Sequence, residues 1–416
     1  MADPYVADAP AMNFERIPEE ESGWCEEITA LMVDLQDKRK SLQGGEVLRG
    51  VHPKSHGCLD AEFIVNKDVP KDLQVGLFAD PGRVSSAKIR YSNADVLKRA
   101  DIEEDLQSDG TKLMQHGSRG MAIKVLNIGE DTQLEDGAAQ NQDFLMVNTP
   151  EFAFRNVRDY RRLMAALVAS EDAATPNLFF LPGLMLRMGM MDMAGRLKPA
   201  SVDDTPAMVG MRAAFTQHQT VFADYAAEDV LGVISAGRVV EKIRQSAVRN
   251  PLEATYFSAA PFRFGPDRVM RYSVSPVQDD LPAARFTQEE MAALPENYLA
   301  EALRAVIGPH THIRLSFRIQ VATARDIEGK EVEMIEDATL GWDEAAFPFT
   351  EVAQLVIHRQ LEAELIDACK PLLFTPWHSV AAFEPLGGIN RLRKPVYSAS
   401  GEFRRGSGQF SARPVR

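Results

Sequence analysis

The clearest pattern in the chain is the alternation of apolar and polar side chains over residues 312–321. Ile313, Leu315, Phe317, Ile319 and Val321 fall on one face, the period-two signature of a strand with one side in a core. Shorter segments over residues 61–65, 87–92 and 120–126, a more continuous apolar run over 143–147, and later segments over 255–258 and 269–274 also predict strands. A helical period governs other stretches. Ile28, Leu31, Met32 and Leu35 stand at i, i+3, i+4 and i+7, so residues 19–42 predict a surface helix. Val157, Tyr160, Leu163, Met164 and Leu167 make a second stripe, and residues 207–244 read as helix in pieces. Residues 332–335 with 338–342 are expected to pair with the 312–321 strand, while Val352, Leu355 and Val356 predict the start of a late helix running toward Cys369. Strands, helices, strands and helices in that order imply an α+β fold around one closed or strongly curved antiparallel sheet. The organisation expected is an arm and helix over residues 1–44 and one domain over 45–416, with insertions at 95–115 and 171–250.

Composition narrows the function. The chain has 416 residues, 45% of them hydrophobic and 25% charged, which is ordinary for a globular protein. A net charge of −14 argues against binding nucleic acid through its phosphates. No run approaches the roughly 20 apolar residues of a membrane span, since Pro182, Gly183 and Arg187 break the most apolar stretch, residues 178–193. The first residues carry neither the basic nor the apolar region of a secretory signal, and Cys25, Cys58 and Cys369 are too few and too scattered for a disulfide framework. They read as reduced thiols in a cytoplasmic protein.

Three stretches carry chemistry. Arg393 and Tyr397 are four apart, so on a helix a guanidinium shares a face with a phenol. A permanent cation there favours phenolate, a hard anionic donor suited to ferric iron, and tyrosine is one of the few protein ligands of haem. Near the N-terminus, His52 follows Arg49 and Val51 and precedes a strand; its plainer reading is a rim histidine. Asn148-Thr149-Pro150 closes another strand, where turn chemistry alone would explain it.

Taken together and in order, these pieces resemble the haem-binding core of the catalase-like superfamily, which includes catalases, small catalase-related peroxidases and allene oxide synthases. Arg49-x-x-His52-x-Lys54 looks like the distal motif, with Val51 directly before the histidine as in catalases. Arg90-Tyr91-Ser92, Arg119 to Lys124 and Asn148-Thr149-Pro150-x-Phe152 resemble the strand motifs that follow. Tyr160 falls at the spacing of a porphyrin-stacking phenylalanine, Arg393-x-x-x-Tyr397 matches the proximal motif, and Arg404 a propionate-binding position. The resemblance implies a catalase-like β-barrel core with helical additions around a buried haem b. It implies Tyr397 as axial ligand of the iron, with Arg393 keeping it ionised, and His52 and Asn148 as the catalytic pair, with Ser92 against His52. Arg49, Arg90 and Arg404 would meet the propionates, and Val51 and Tyr160 the ring.

The implied activity is a haem-dependent peroxidase or weak catalase using hydrogen peroxide or organic hydroperoxides. The alternatives are conversion of a fatty-acid hydroperoxide, in the manner of allene oxide synthases, and haem binding without catalysis. A homodimer is compatible with either enzyme. His56, His116 and the Trp377-His378 pair read as structural. Residues 95–115 lengthen the family pattern and are expected to cover or reshape access to the haem. Residues 178–193, rich in methionine, read as adaptable core packing or as a wall for a long apolar substrate.

Overall fold

Eight antiparallel strands close on themselves in the computed structural model, which describes residues 13–42, 44–94, 100–106, 112–129, 140–170, 177–277, 286–307, 312–358 and 368–406. The strands are β1 (Ser55–Val65), β2 (Val84–Asn93), β5 (Arg119–Val125), β6 (Gln142–Val147), β7 (Tyr256–Phe257), β9 (Arg268–Pro276), β10 (Ile313–Thr323) and β11 (Thr350–Ile357). They run in the order β10-β11-β1-β2-β5-β6-β7-β9, and β9 pairs back to β10 along its whole length. A short strand β8 (Phe262–Arg263) pairs antiparallel with β9, and β3 (Ile102–Leu106) pairs with β4 (Lys112–His116) as a separate hairpin.

Alternation decides what fills the barrel. Phe63, Ile89, Ile123, Phe144, Tyr272, Phe317 and Leu355 point inward and are buried together. The ring centroids of Phe144 and Phe317 are 4.7 Å apart and those of Phe144 and Tyr272 are 5.0 Å apart, so the interior is a packed aromatic core. Any site must therefore lie on the outer face. Along β2 the burial pattern changes from alternating, over Val84–Lys88, to continuous, over Ile89–Asn93, because helices cover the outside there.

Those helices come from distant parts of the chain. Helix α1 (Glu21–Leu42) packs against α2 (Val157–Ala169) and α9 (Gly388–Gly406). Asn156 caps α2 by accepting from the Asp159 N–H, and the predicted stripe of Leu163, Met164 and Leu167 is buried. Helices α3 (Asn177–Arg187), α4 (Pro206–Gln217) and α5 (Ala227–Gln245) extend this layer, while α6 (Gln288–Ala292) and α7 (Tyr298–Val306) sit by the β3–β4 hairpin and the short α8 (Ala324–Ile327) follows β10. Residues 178–193 divide between two roles. Phe179, Leu181, Met185, Met190 and Met191 are core, while Leu184, Met188 and Met193 face outward. No helix among the described residues is long and apolar enough to cross a membrane.

Three expectations are corrected. Val352, Leu355 and Val356 belong to β11, not to a helix; a short apolar run fits either period, and here the β-branched residues and burial on both faces favour the strand. Residues 359–367 of the expected helix lie outside the described residues. Val332–Glu336 is a π-helical turn, and the partners of β10 are β9 and β11. The cysteines are not all free: Cys58 and Cys369 form a disulfide across 311 residues, and Cys25 alone stays a thiol. Sequence separation hides this pairing, which exists only because the chain after β11 returns to the outer face of β1. Burial, then the nearby Glu21, pushes the Cys25 thiol up to about 11, so it is inert rather than reactive.

Breaking that cross-link tests its contribution. Cys58→Ser is expected to lower the unfolding free energy by about 2–4 kcal/mol in urea denaturation without reductant; a midpoint equal to that of the parent protein would show that the disulfide adds no stability.

Candidate functional site

A cavity of about 790 Å³, its open side included, lies between the outer face of β2, β5 and β6 and the helix α9. The strand wall carries Arg90, Ser92, Met121, Ala122, Leu145, Met146 and Val147, the segment before β1 brings Arg49, Val51 and His52, and α9 faces them with Arg393, Val396, Tyr397, Ser400, Gly401 and Arg404. Eight of the ten residues singled out by sequence thus line one cavity, although up to 355 positions separate them. Asn148 and Tyr160 stand just outside its lining.

His52 is held tightly. Its backbone adopts a left-handed φ of 57°, its Nδ1 lies 3.1 Å from Ser92 Oγ, and its carbonyl accepts from Arg90 Nη2 at 2.7 Å. The ring lies against β5 where a side chain would collide with it: a Cβ on Gly120 would approach Nδ1 to 2.4 Å. Glycine in Arg119-Gly120-Met121 therefore makes room for the histidine, a role the motif alone does not reveal. Burial lowers the His52 imidazole to about 3, reinforced by Arg90, Arg393 and Arg49 in that order. The ring is neutral at physiological pH, and in the tautomer whose Nδ1–H donates to Ser92 Oγ the basic nitrogen is Nε2.

Asn148 is oriented by β5. Its Oδ1 accepts from the Arg119 N–H at 2.7 Å and from Ser118 Oγ at 3.4 Å, while its own N–H donates to the Arg119 carbonyl at 3.0 Å. With the amide oxygen used in this way, the Nδ2 hydrogens have no partner among the described residues. Tyr160 stacks with Phe152 at 6.5 Å and packs edge-on to Phe154, behind the wall rather than in the cavity. Burial pushes its phenol up to about 12, with Tyr397 adding to the rise.

Three guanidiniums crowd one side. Arg49 Nη2 donates to the carbonyls of Cys369, Lys370 and Leu372, at 2.9, 3.3 and 2.7 Å, and Arg404 Nη1 donates to Lys370 O at 3.4 Å. Burial lowers Arg49 well below the ordinary range, with Arg90 and Arg404 adding repulsion. Burial followed by Arg404 lowers Arg90 to about 10, and burial followed by Arg405 lowers Arg404 to about 10. All remain cations at neutral pH, and an anion among them would relieve their repulsion.

The opposite wall depends on how α9 begins. Arg391 pairs with Glu15, Glu21 and Glu336, carboxylates from three separate segments. Two of them also accept from the helix start: Gly387 N–H donates to Glu15 at 2.7 Å and Gly388 N–H to Glu336 at 2.9 Å, where negative charge suits the helix dipole. Asn390 donates to Pro261 O and Leu386 O and accepts from Arg393 Nη1 at 2.9 Å, and Trp377 Nε1 donates to the Asn390 carbonyl. Arg393 also lies over the Phe152 ring at 5.3 Å. Arg391 and its carboxylates carry no signature in the sequence. Ser400 and Gly401, at i+3 and i+4 from Tyr397, were open to helical spacing, whereas Leu373 and Phe374 gave no signal. His56 and His378 bond to Asn93 and Asp143, in keeping with structural roles, and Trp377 packs the helix.

Buried neutral histidines make the fold acid-sensitive. Burial lowers His52 to about 3 and His56 and His116 to about 4. Their folded values lie below the unfolded one, so the unfolded chain binds more protons as pH falls below about 6.5. Stability is therefore expected to decline from pH 7.5 to 5; an unchanged urea midpoint over that range would contradict the burial of these rings as neutral groups.

Comparison of the sequence with protein-family models and with curated proteins finds no match. Solved structures do match. A bacterial catalase superposes with a TM-score of 0.57 at 14% identity, over 96% of this chain and 63% of that one. A fungal catalase gives 0.56 at 15% identity, over 89% and 62%, and catalase A from Saccharomyces cerevisiae 0.53 at 15%, over 98% and 70%. The chain spans less than two thirds of the length of the first two. With its closed antiparallel barrel, its packed aromatic interior and its outer helical layer, the chain has the catalase-like α+β fold.

Proposed function

We propose that the protein is a haem-dependent oxidoreductase acting on peroxides. One observation carries the reading: a single cavity holds a neutral buried histidine, a tyrosine on a facing helix and three clustered guanidiniums. Among the described residues no carboxylate pairs with Arg49 or Arg90, so the cluster suits a ligand that brings its own two carboxylates. Haem b fits those donors. Tyr397 would hold the iron, Arg49, Arg90 and Arg404 the propionates, and Val51 the ring, with Tyr160 supporting the ring's surroundings from behind the wall. Bound there, haem would supply the ferric centre at which a peroxide O–O bond can be broken.

The chain's own residues would manage protons and orientation. His52 Nε2 would accept a proton from one peroxide oxygen and deliver it to the other, which leaves as water or an alcohol. Ser92 would fix the ring that does this. Asn148 Nδ2 would donate to the peroxide and steady charge as the bond lengthens. The apolar remainder of the wall, including Met121, Leu145, Met146 and Val147, would exclude bulk water. The same apolar lining favours a second reading, conversion of a fatty-acid hydroperoxide.

Titration of the apoprotein with hemin is expected to give a saturable Soret band, and Tyr397→Phe to abolish it or weaken binding at least tenfold; an unaltered spectrum in the variant would remove the ligand assignment. In the haem-loaded protein His52→Ala should retain haem but lose peroxide cleavage by about 10²–10⁴-fold, and retained turnover would point to another base. Oxygen release or donor oxidation with hydrogen peroxide supports the first activity, and a rearranged lipid without donor consumption the second. Inertness toward both would leave haem binding alone.

A further inference from the structure

The hairpin that lengthens the chain between Ser92 and Arg119 does not line the cavity at any of its described residues, 101–106 and 112–116. Instead its first residue is buried behind the strand wall. We propose that Asp101 is a positioning residue that holds both His52 and Asn148 in place from behind, an inference that rests on the roles given to those two residues above.

Asp101 is fully buried, and each of its polar groups is used. Oδ1 accepts from Asn93 Nδ2 at 3.0 Å and pairs with Lys54 Nζ at 2.8 Å, and Oδ2 accepts from the Leu299 N–H at 3.0 Å. Its backbone N–H donates to Glu296 O at 2.9 Å, and its carbonyl accepts from Arg119 Nη2. Asn93 completes the cluster: its Oδ1 accepts from Arg119 Nη1 at 2.6 Å and His56 Nε2 at 2.8 Å, and its N–H donates to Lys54 O at 3.1 Å.

The three residues converging on Asp101 are each close to a group that lines the cavity or stands beside it. Lys54 is two residues after His52. Asn93 follows Ser92, whose hydroxyl meets His52 Nδ1. Arg119 holds Asn148 through both its N–H and its carbonyl, and precedes the Gly120 against which the His52 ring lies. One residue on the hairpin thus joins β2, β5 and the segment before β1, its carboxylate meeting Asn93 and Lys54 and its backbone carbonyl Arg119. It also supplies negative charge beside Lys54 and Arg119, two cations that are costly to bury alone. Displacing catalytic groups by about 1 Å can cost on the order of 100-fold in rate, so the cluster is tied to reactivity and not only to stability.

Two variants separate those effects. Asp101→Asn keeps the shape but removes the charge and one of the two carboxylate acceptors, so that either Asn93 and Lys54 or the Leu299 N–H loses its partner; Asp101→Leu combined with Lys54→Met removes the buried ion pair as a unit. Three quantities are measured: thermal midpoint, amide hydrogen exchange of apoprotein peptides covering residues 92–93, 119–120 and 148, and the rate of the hydrogen peroxide-induced Soret change in the haem-loaded protein. Asp101→Asn is expected to lower the midpoint, speed exchange in all three segments, and slow the peroxide reaction about ten- to 100-fold at unchanged haem content. The double variant is expected to regain the midpoint but neither the protection nor the rate. Parental exchange and rate in either variant, or a rate recovered together with the midpoint in the double variant, would overturn the inference. If the parent itself fails to react with peroxide, the proposed function falls, and the exchange data still decide whether Asp101 holds these segments.

Discussion

Repulsion among Arg49, Arg90 and Arg404 is the constraint around which the site is built. Guanidiniums cannot shed their charge at neutral pH, so a wall that buries several must orient their donors and leave room for an anion. Arg49 uses the carbonyls of Cys369, Lys370 and Leu372, and Arg90 the carbonyl of His52. The segment after Cys369 is therefore part of the wall, and the disulfide to Cys58 fastens it to β1 beside the same strands. Burial keeps His52 neutral and the same positive field reinforces it, which joins the anion side of the cavity to the histidine.

Two polar clusters outside the cavity set the distance between its walls. On the helix side, Arg391 gathers Glu15, Glu21 and Glu336, and two of those carboxylates also cap the start of α9. On the strand side, Asp101 gathers Lys54, Asn93 and Arg119. Each cluster combines segments far apart in the chain, and losing the central Arg391 or Asp101 would leave buried charge without its counter-ion. Arginine and tyrosine on α9, and histidine and asparagine by the barrel, are presented by surroundings that leave them little freedom.

Local periods made much of the barrel legible. Alternation revealed β10 because one face is apolar and the other polar, and the helical stripe revealed α1 because one face meets the core. The same reasoning failed at β11, where both faces are buried and the sequence has no period to read. It failed at Val332–Glu336 too, where β-branched residues sit in a π-helical turn held by tertiary contacts. At the site, charged and aromatic residues in recurring spacing were visible one stretch at a time. Asn148 and Tyr160 were found in this way but stand just outside the lining, because spacing along a chain does not say how deep a side chain will sit.

Residue identity alone determined that strands and helices would alternate in blocks around a curved sheet, that a phenol and a guanidinium would share a face of the last helix, and that histidine and asparagine would flank strands. Those follow from interactions within a few residues, for which side-chain period is sufficient. Tertiary structure alone decided that Cys58 would meet Cys369, that Gly120 would yield its space to His52, that Arg391 would collect three carboxylates, and that the hairpin after Ser92 would stand behind the cavity. Each of these depends on segments brought together only when the barrel closes and the helices cover its outer face. Burial and charge compensation at such meetings are properties of the assembled fold and leave no local pattern in the sequence.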